Sequence, residues 1–332
     1  MLRVSLLRLR SEQLSALREI WESRLSSREK NAILLLAHGS PDSVDAVPEF
    51  LHRVAGGRAL PAEMINEIKH RYEVIGRSPL TELTQEQASL LAEELKLPVY
   101  VGMRNWKPFI ADTLRAMNSD GIERAIVICL APQNSRTSVG LYREALTRED
   151  TVSFTIEFVE SWHDHPLLIK AFAEKLRKGW EHACKELAVM PPIIFTAHSV
   201  PQRTIAEGDP YEIQAKETAA LVARESALEC GNWKFAFQSQ GMAGGPWLGP
   251  KVEDTILTLK EEGHRGVFVQ PIGFLCDHVE VLYDVDMIFK QFAEKHGVRL
   301  WRAESLNRSP LLTAALAELA RSRLGNNSSM IA

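Results

Sequence analysis

Between Pro271 and Asp286 the chain reads PIGFLCDHVEVLYDVD, and the polar residues in this stretch have the types and spacing that chemistry needs. An apolar run from Gly266 to Leu275 ends at Asp277-His278-Val279-Glu280, where a helical pattern begins. A strand that stops at an acidic residue and turns into a helix sets its first-turn side chains at the mouth of a parallel sheet, where open α/β proteins bind ligands. Glu280 and Asp284 are spaced to share a helix face, while Val281, Leu282 and Val285 can face the sheet. A histidine and two carboxylates on such a turn can hold a metal or move protons. The plainer reading makes Asp277 a helix N-cap, worth about 1 kcal/mol, with the other acids favourably placed near a helix N-terminus.

His198, in Thr196-Ala197-His198-Ser199-Val200-Pro201, ends a strand and starts a turn, which brings its imidazole to a cleft. A neutral imidazole and a carboxylate facing each other suit Fe2+, which accepts nitrogen and oxygen ligands. The same pair could take protons from a nitrogen acid, because histidine titrates near neutral pH. His38 holds a similar place in Leu36-Ala37-His38-Gly39-Ser40-Pro41, where turn hydrogen bonding is the plainer role. Trp247 stands in a breaker cluster, GGPWLGP, as a core anchor or a wall of the cleft. The chain has no G-x-G-x-x-G after a strand, no G-x-x-x-x-G-K-[ST], no H-E-x-x-H and no G-x-S-x-G. That disfavours dinucleotide, nucleoside-triphosphate, zinc-protease and serine-hydrolase chemistry.

Positioning such residues takes a large α/β body. The chain has 332 residues, enough for two domains or one large one with two halves. Strand-like runs at 33–37, 98–102, 124–131, 152–159, 193–197, 235–238 and 266–271 alternate with helical patterns, which argues for a parallel, doubly wound sheet. The LAHGSP and TAHSVP segments echo each other. A longer echo keeps its register: Pro108, Asp112, Thr113 and Gly121 recur 142 positions later as Pro250, Asp254, Thr255 and Gly263. The expected fold is therefore α/β, with two similar halves, each a parallel sheet flanked by helices, and a ligand cleft between them. Residues 31–165 form the first half and 166–332 the second, with a C-terminal helix free to pack back on the first. Residues 1–30 are a helical leader, with Leu14, Leu17, Trp21 and Leu25 at helical spacing, expected to pack on the body and to touch a membrane at most peripherally.

A net charge of −4 and the lack of a basic stripe give no reason to expect nucleic acid. Nothing approaches the roughly 20 apolar residues of a membrane span. The four cysteines match no zinc or iron–sulfur spacing, and Cys129 and Cys276 lie in apolar runs as reduced core thiols. A cytoplasmic protein is expected.

The motifs resemble those of a known family. TAHSVP (196–201), EGDPYEIQ (207–214), FQSQGMAGGPWLGP (237–250) and PIGFLCDHVEVLYDVD (271–286) look like the successive signature blocks of ferrochelatases. LAHGSP (36–41), RYEVIGRSPL (71–80), VGMRNWKPFIADTL (101–114) and LAPQNSRTSVGLY (130–142) agree in the first half, and the similarity spans about residues 31 to 325. The resemblance implies two Rossmann-like halves and a metal chelatase (a lyase) of haem biosynthesis that inserts Fe2+ into protoporphyrin IX or coproporphyrin III. It implies porphyrin and Fe2+ as substrates, no tightly bound cofactor, no iron–sulfur cluster, and a monomer. The family's active-site histidine and glutamate map onto His198 and Glu280, both as catalytic groups and as metal ligands, and Asp284 is the next acid along the helix. His38, Arg71, Tyr72, Ser78 and Tyr142 match positions lining the porphyrin pocket, with Trp247 added from its place at the cleft. The expected geometry has His198 on one face of the ring, Glu280 opposite, and Asp284 relaying protons.

Four departures stand out. Ile288 replaces a third acid one turn on, Asp286 lies on another helix face, Gln133-Asn134 replace an aromatic residue or histidine, and His38 replaces a tyrosine common in the coproporphyrin-using branch. That tyrosine can contact the iron of product haem, a contact His38 could make through nitrogen or leave unmade. A cobalt chelatase of the B12 pathway and a non-enzymatic tetrapyrrole carrier are the alternatives, and neither is expected to carry all of these blocks and turn over iron.

Overall fold

A computed structural model describes residues 29–149, 152–229, 231–240 and 245–325. The expected leader helix, Cys230 and Gly244 lie outside the described residues.

Apolar runs make the central strands, because a strand inside a parallel sheet is covered on both faces and has no solvent side for polar residues. Asn31–Ala37 (β1), Arg124–Cys129 (β3) and Gly266–Pro271 (β7) are buried along almost their whole lengths. With Val99–Met103 (β2) and Thr155–Val159 (β4), β1 and β3 form a parallel sheet in the order β2-β1-β3-β4. Ile193–His198 (β5), Trp233–Gln238 (β6), β7 and Arg299–Arg302 (β8) form a second parallel sheet in the order β6-β5-β7-β8. The two sheets have the same connectivity, so the fold is α/β with two Rossmann-like halves.

Between β1 and β2 lie helices Val47–Val54 (α1), Ala62–Ile75 (α2) and Leu80–Leu95 (α3). Ile110–Ser119 (α4) and Val139–Thr147 (α5) complete the first half. The 142-residue echo is structural. Thr113 in α4 and Thr255 in Val252–Glu261 each donate to a carbonyl one turn back, at 3.1 and 2.9 Å. Met103 N and Phe237 N likewise donate to Pro108 O and Pro250 O, at 2.7 and 2.8 Å.

Pro166–Leu187 (α6) starts on a proline, which suits a first helical position whose N–H has no partner anyway. Leu168, Ile169, Phe172, Ala173, Leu176 and Ala183 line its buried face. It packs on β7, β8 and the helix Tyr211–Glu225, after the short Gln202–Ala206 (α7 and α8 in chain order: Gln202–Ala206, then Tyr211–Glu225). Val252–Glu261 is α9, Lys290–Lys295 is α10 and Pro310–Gly325 is α11. The last of these returns to pack on α3, α6 and β3. One apolar cluster therefore runs through both halves, from Ile33, Leu91 and Ile126 through Phe172, Phe195 and Phe268 to Leu312 and Leu316. Each such side chain contributes about 1.5–3 kcal/mol relative to leaving it in water.

Three local expectations are corrected. Strand β4 starts at Thr155, not Val152. Strand β8 has no counterpart in the sequence reading, since four residues with arginines at both ends, Arg299 and Arg302, give no apolar run. The helix after β7 is a π-helix, Glu280–Phe289, running directly into α10. Among the described residues, no helix is long and apolar enough to cross a membrane. Cys129 and Cys276 are buried free thiols.

Candidate active site

The seam between the halves gathers side chains from both. His198 ends β5, with its carbonyl accepting from Tyr211 Oη at 2.9 Å. Its Nδ1 faces Ser199 O, so Nδ1 carries a proton there and Nε2 is left to point elsewhere. The turn after it is braced by the breaker cluster: Leu248 N donates to Val200 O at 3.0 Å, Ser199 Oγ to Leu248 O at 2.9 Å, and Gln202 Nε2 to Trp247 O at 3.2 Å. Trp247 is half-buried in that brace.

Glu280 opens the π-helix. Its Oε2 lies 3.7 Å from His198 Nε2 and 3.9 Å from His278 Nε2, too far for a hydrogen bond to either. That oxygen has no hydrogen-bond partner among the described residues. Burial pushes the Glu280 carboxyl up, but the imidazoles of His198, His278 and His38 outweigh it and hold the group down to about 2. His278 donates from Nδ1 to Cys276 O at 3.1 Å and sets its ring against Phe274, centroids 4.4 Å apart.

The expectation that Glu280 stands opposite His198 across the ring does not hold. A flat macrocycle between them needs about 7 Å, one van der Waals contact of roughly 3.5 Å on each face. The observed separation is 3.7 Å, so no ring fits between them. It is just beyond the spacing of donors to one ion, because two atoms each about 2.1 Å from a divalent metal stand about 3–3.6 Å apart. Among the described residues, no group of three or more His, Cys, Asp or Glu could hold a metal ion.

Asp277 is not the N-cap that the plainer reading makes it. Val279 holds the cap position, and Asp277 accepts from Ser305 Oγ at 2.7 Å and Asn307 Nδ2 at 2.8 Å, anchoring the loop to the segment after β8. Asp284 accepts from Ser239 Oγ at 2.5 Å and from Arg71 Nη1 at 3.3 Å, so it ties the π-helix to the end of β6 and to α2 of the other half. Burial raises the Asp284 pKa, with the Glu280 charge adding to the rise. A π-helix bonds i to i+5, so one turn takes more residues than in an α-helix, and such helices recur at functional sites. Asp286 falls on another face, in a two-point pair with Arg302 at 2.6 and 2.8 Å, and Ile288 is exposed.

On the first-half wall the His38 ring is partly enclosed, edge-on to Phe50 at 5.8 Å. Desolvation by the surrounding protein, reinforced by the Arg104 charge, lowers its pKa to about 4. The folded protein thus takes up this proton less readily than the unfolded chain. Stability is expected to fall as pH drops from about 6.5 to about 4, and to be unaffected by His38 above that window. Melting curves of wild type and His38→Gln across that range test this; equal acid slopes would refute it.

Of the other positions expected to line a porphyrin pocket, Arg71 is accessible, lying over the Tyr283 ring at 5.3 Å. Tyr72, Ser78 and Tyr142 are buried and present little surface to a ligand in this conformation. Tyr72 Oη shares a hydrogen bond with Ser40 Oγ at 2.9 Å, and burial pushes its pKa up to about 12. Gln133 donates from Nε2 to Thr218 Oγ1 at 3.1 Å and to Ile272 O at 3.2 Å, stitching the halves together. Asn105, Ser239 and Arg104 carry no signal in the sequence, whereas His278 is the histidine of the 277–284 cluster. Arg104 lies 5.9 Å over the Tyr142 ring, and its Nε has no hydrogen-bond partner among the described residues.

Known proteins resemble this chain in sequence and in fold. The family model described as ferrochelatase matches residues 30–324. A ferrochelatase of Acidobacterium capsulatum is 55% identical over 311 residues, covering 89% of this chain and 95% of its own length. A coproporphyrin III ferrochelatase of Geobacillus sp. (strain WCH70) is 34% identical over 90% of this chain and 99% of its own. In fold alone, the sirohydrochlorin chelatase SirB of Bacillus subtilis subspecies spizizenii, solved with cobalt, is similar with a TM-score of 0.52 at 12% identity, over 88% of this chain and 94% of that one. Two matched parallel sheets, an imidazole and a carboxylate at their seam, and similarity over nearly the whole described length lead to one conclusion: the chain belongs to the ferrochelatase family, whose reaction is the insertion of Fe2+ into a porphyrin in haem biosynthesis.

Proposed function

We propose that this chain inserts Fe2+ into a porphyrin held at the seam, with His198 and Glu280 working together on one face of the ring and His38 toward the other. The observation that carries the assignment is Glu280 Oε2, a carboxylate oxygen with no hydrogen-bond partner among the described residues, 3.7 and 3.9 Å from two imidazoles. A buried acceptor left unmatched is costly. Such an oxygen is expected where a proton or a cation arrives during turnover.

Insertion requires two pyrrole nitrogens to lose protons while the metal sheds water and enters the ring. Glu280, ionised at neutral pH, accepts protons or, with His198 Nε2, steadies the incoming iron. Asp284, with its raised pKa, is the next acid along the helix and takes the proton outward, held in place by Ser239 and Arg71. The relay ends there, because Asp286 is committed to Arg302 and Ile288 carries no proton. Arg71 and Arg104 supply positive charge for the porphyrin carboxylates, and Trp247 walls the cleft. Tyr72, Ser78 and Tyr142 shape the first-half wall from behind. The enzyme works as a cytoplasmic monomer without a resident cofactor or iron–sulfur cluster.

The test is anaerobic mixing of purified protein with Fe2+ and either coproporphyrin III or protoporphyrin IX, followed by absorption. Conversion to the iron porphyrin is expected with at least one, and the faster identifies the substrate. Porphyrin binding without iron-dependent change would make the protein a carrier. A preference for cobalt and a more carboxylated tetrapyrrole would make it a cobalt chelatase.

A further inference from the structure

His38 is the one candidate side chain whose two ring nitrogens are both spoken for by protein. Nδ1 lies 3.1 Å from Gly39 O, and Nε2 lies 3.0 Å from Asn105 Nδ2. A carbonyl oxygen only accepts, so Nδ1 must carry the proton. In the neutral ring Nε2 is then an acceptor, and the Asn105 amide must present its NH2 to it; a flipped amide would set two lone pairs against each other. Asn105 is well placed to impose this. Its side chain is buried, and its own N–H donates to His38 O at 3.0 Å, so the residue grips both backbone and ring of His38. The lowered His38 pKa agrees with the neutral ring, since the imidazolium is disfavoured there.

A neutral imidazole, edge-on to Phe50 in the cluster against which Val279 beside Glu280 packs, would ordinarily offer its lone pair to iron once the metal is in the ring. Here that lone pair is turned onto an amide. We propose that Asn105 is a positioning residue that holds His38 off the iron of the product, so that the metallated porphyrin leaves without an axial bond from the first-half wall. This inference rests on the iron-insertion reading above. It assigns Asn105 a task in product release, separate from the chemistry at His198 and Glu280.

The test titrates ferric haem into purified full-length wild type, His38→Ala, Asn105→Ala and the double variant, reading the Soret band and the electron paramagnetic resonance spectrum. Wild type and His38→Ala are expected to give the same ligand signature. Asn105→Ala is expected to gain a nitrogen ligand and to hold haem up to about tenfold more tightly, the worth of the hydrogen bond that ligation no longer has to break. The double variant should lose both changes. A signature that differs between wild type and His38→Ala overturns the proposal, and this arm does not depend on how well Asn105→Ala folds. A folded Asn105→Ala protein with the wild-type signature also overturns it. Failure of wild type to insert iron would instead sink the functional reading, so the two failures are distinguishable.

Discussion

Iron insertion by the Glu280→Gln protein is expected to fall about 10²–10⁴-fold, the usual worth of a positioned general base, with porphyrin binding retained. Glutamine keeps the shape of the side chain and removes its charge and its basicity. The charge matters because Glu280, with its pKa held down to about 2, is ionised through the whole working range of pH. An amide in its place cannot take a pyrrole proton, and it offers only an uncharged oxygen to an ion shared with His198 Nε2 across 3.7 Å. His198→Ala is expected to cause a loss of similar size. Groups that act as one unit are not additive, so the double variant should be little worse than either single one. Stopped-flow absorption under anaerobic conditions, with porphyrin affinity measured by fluorescence quenching, separates turnover from binding. Near wild-type turnover in both single variants would remove the catalytic assignment.

Gly39→Ala is expected to destabilise the fold by about 2–5 kcal/mol, the sum of a left-handed backbone and a forced overlap. Gly39 has a φ of +85°, and a Cβ there would sit 2.8 Å from both Cβ and backbone N of Trp106 and 3.2 Å from Met103 Cβ. A backbone nitrogen cannot swing aside as the end of a long side chain can. Gly56→Ala is the control, since Gly56 also has positive φ, +64°, but a Cβ there meets nothing within 4 Å. It should lose about 1–2 kcal/mol from conformation alone. Urea denaturation of the two variants reads the difference; equal losses would show that the contact with Trp106 carries no cost. Gly39 also supplies the carbonyl that fixes His38 Nδ1, so the same substitution should disturb the first-half wall.

The alternation of strands and helices was legible because buried parallel strands leave plain apolar runs, and because the chain writes the same pattern twice. Thr113 and Thr255, recognised only as an echo, turn out to make the same bond on the first turn of matched helices. Strand β8 was not legible: at an edge, with four residues, its pairing with β7 does the work that hydrophobic patterning does elsewhere. The π-helix was hidden for a related reason. Val281 and Val285 are buried as a helical pattern requires, and the positions of apolar residues alone do not reveal whether the backbone bonds to the fourth or the fifth residue on. In the site, the residue types and strand-end placement of His198 and Glu280 could be read from sequence, but not their sidedness, which depends on how the first turn of the π-helix leans toward β5. Asn105, Ser239 and Arg104 carried no signal because their roles come from neighbours distant in sequence.

The return of α11 has a consequence for synthesis. Leu312, Ala315, Leu316 and Ala320 cover apolar surface on α3 and α6, and Arg308 and Arg321 fasten the join through ion pairs to Glu86 and Glu94 on α3. The helix that closes the first half is thus translated after every strand of the second. A nascent chain carries an uncovered hydrophobic face on α3 until residues 310–325 emerge from the ribosome.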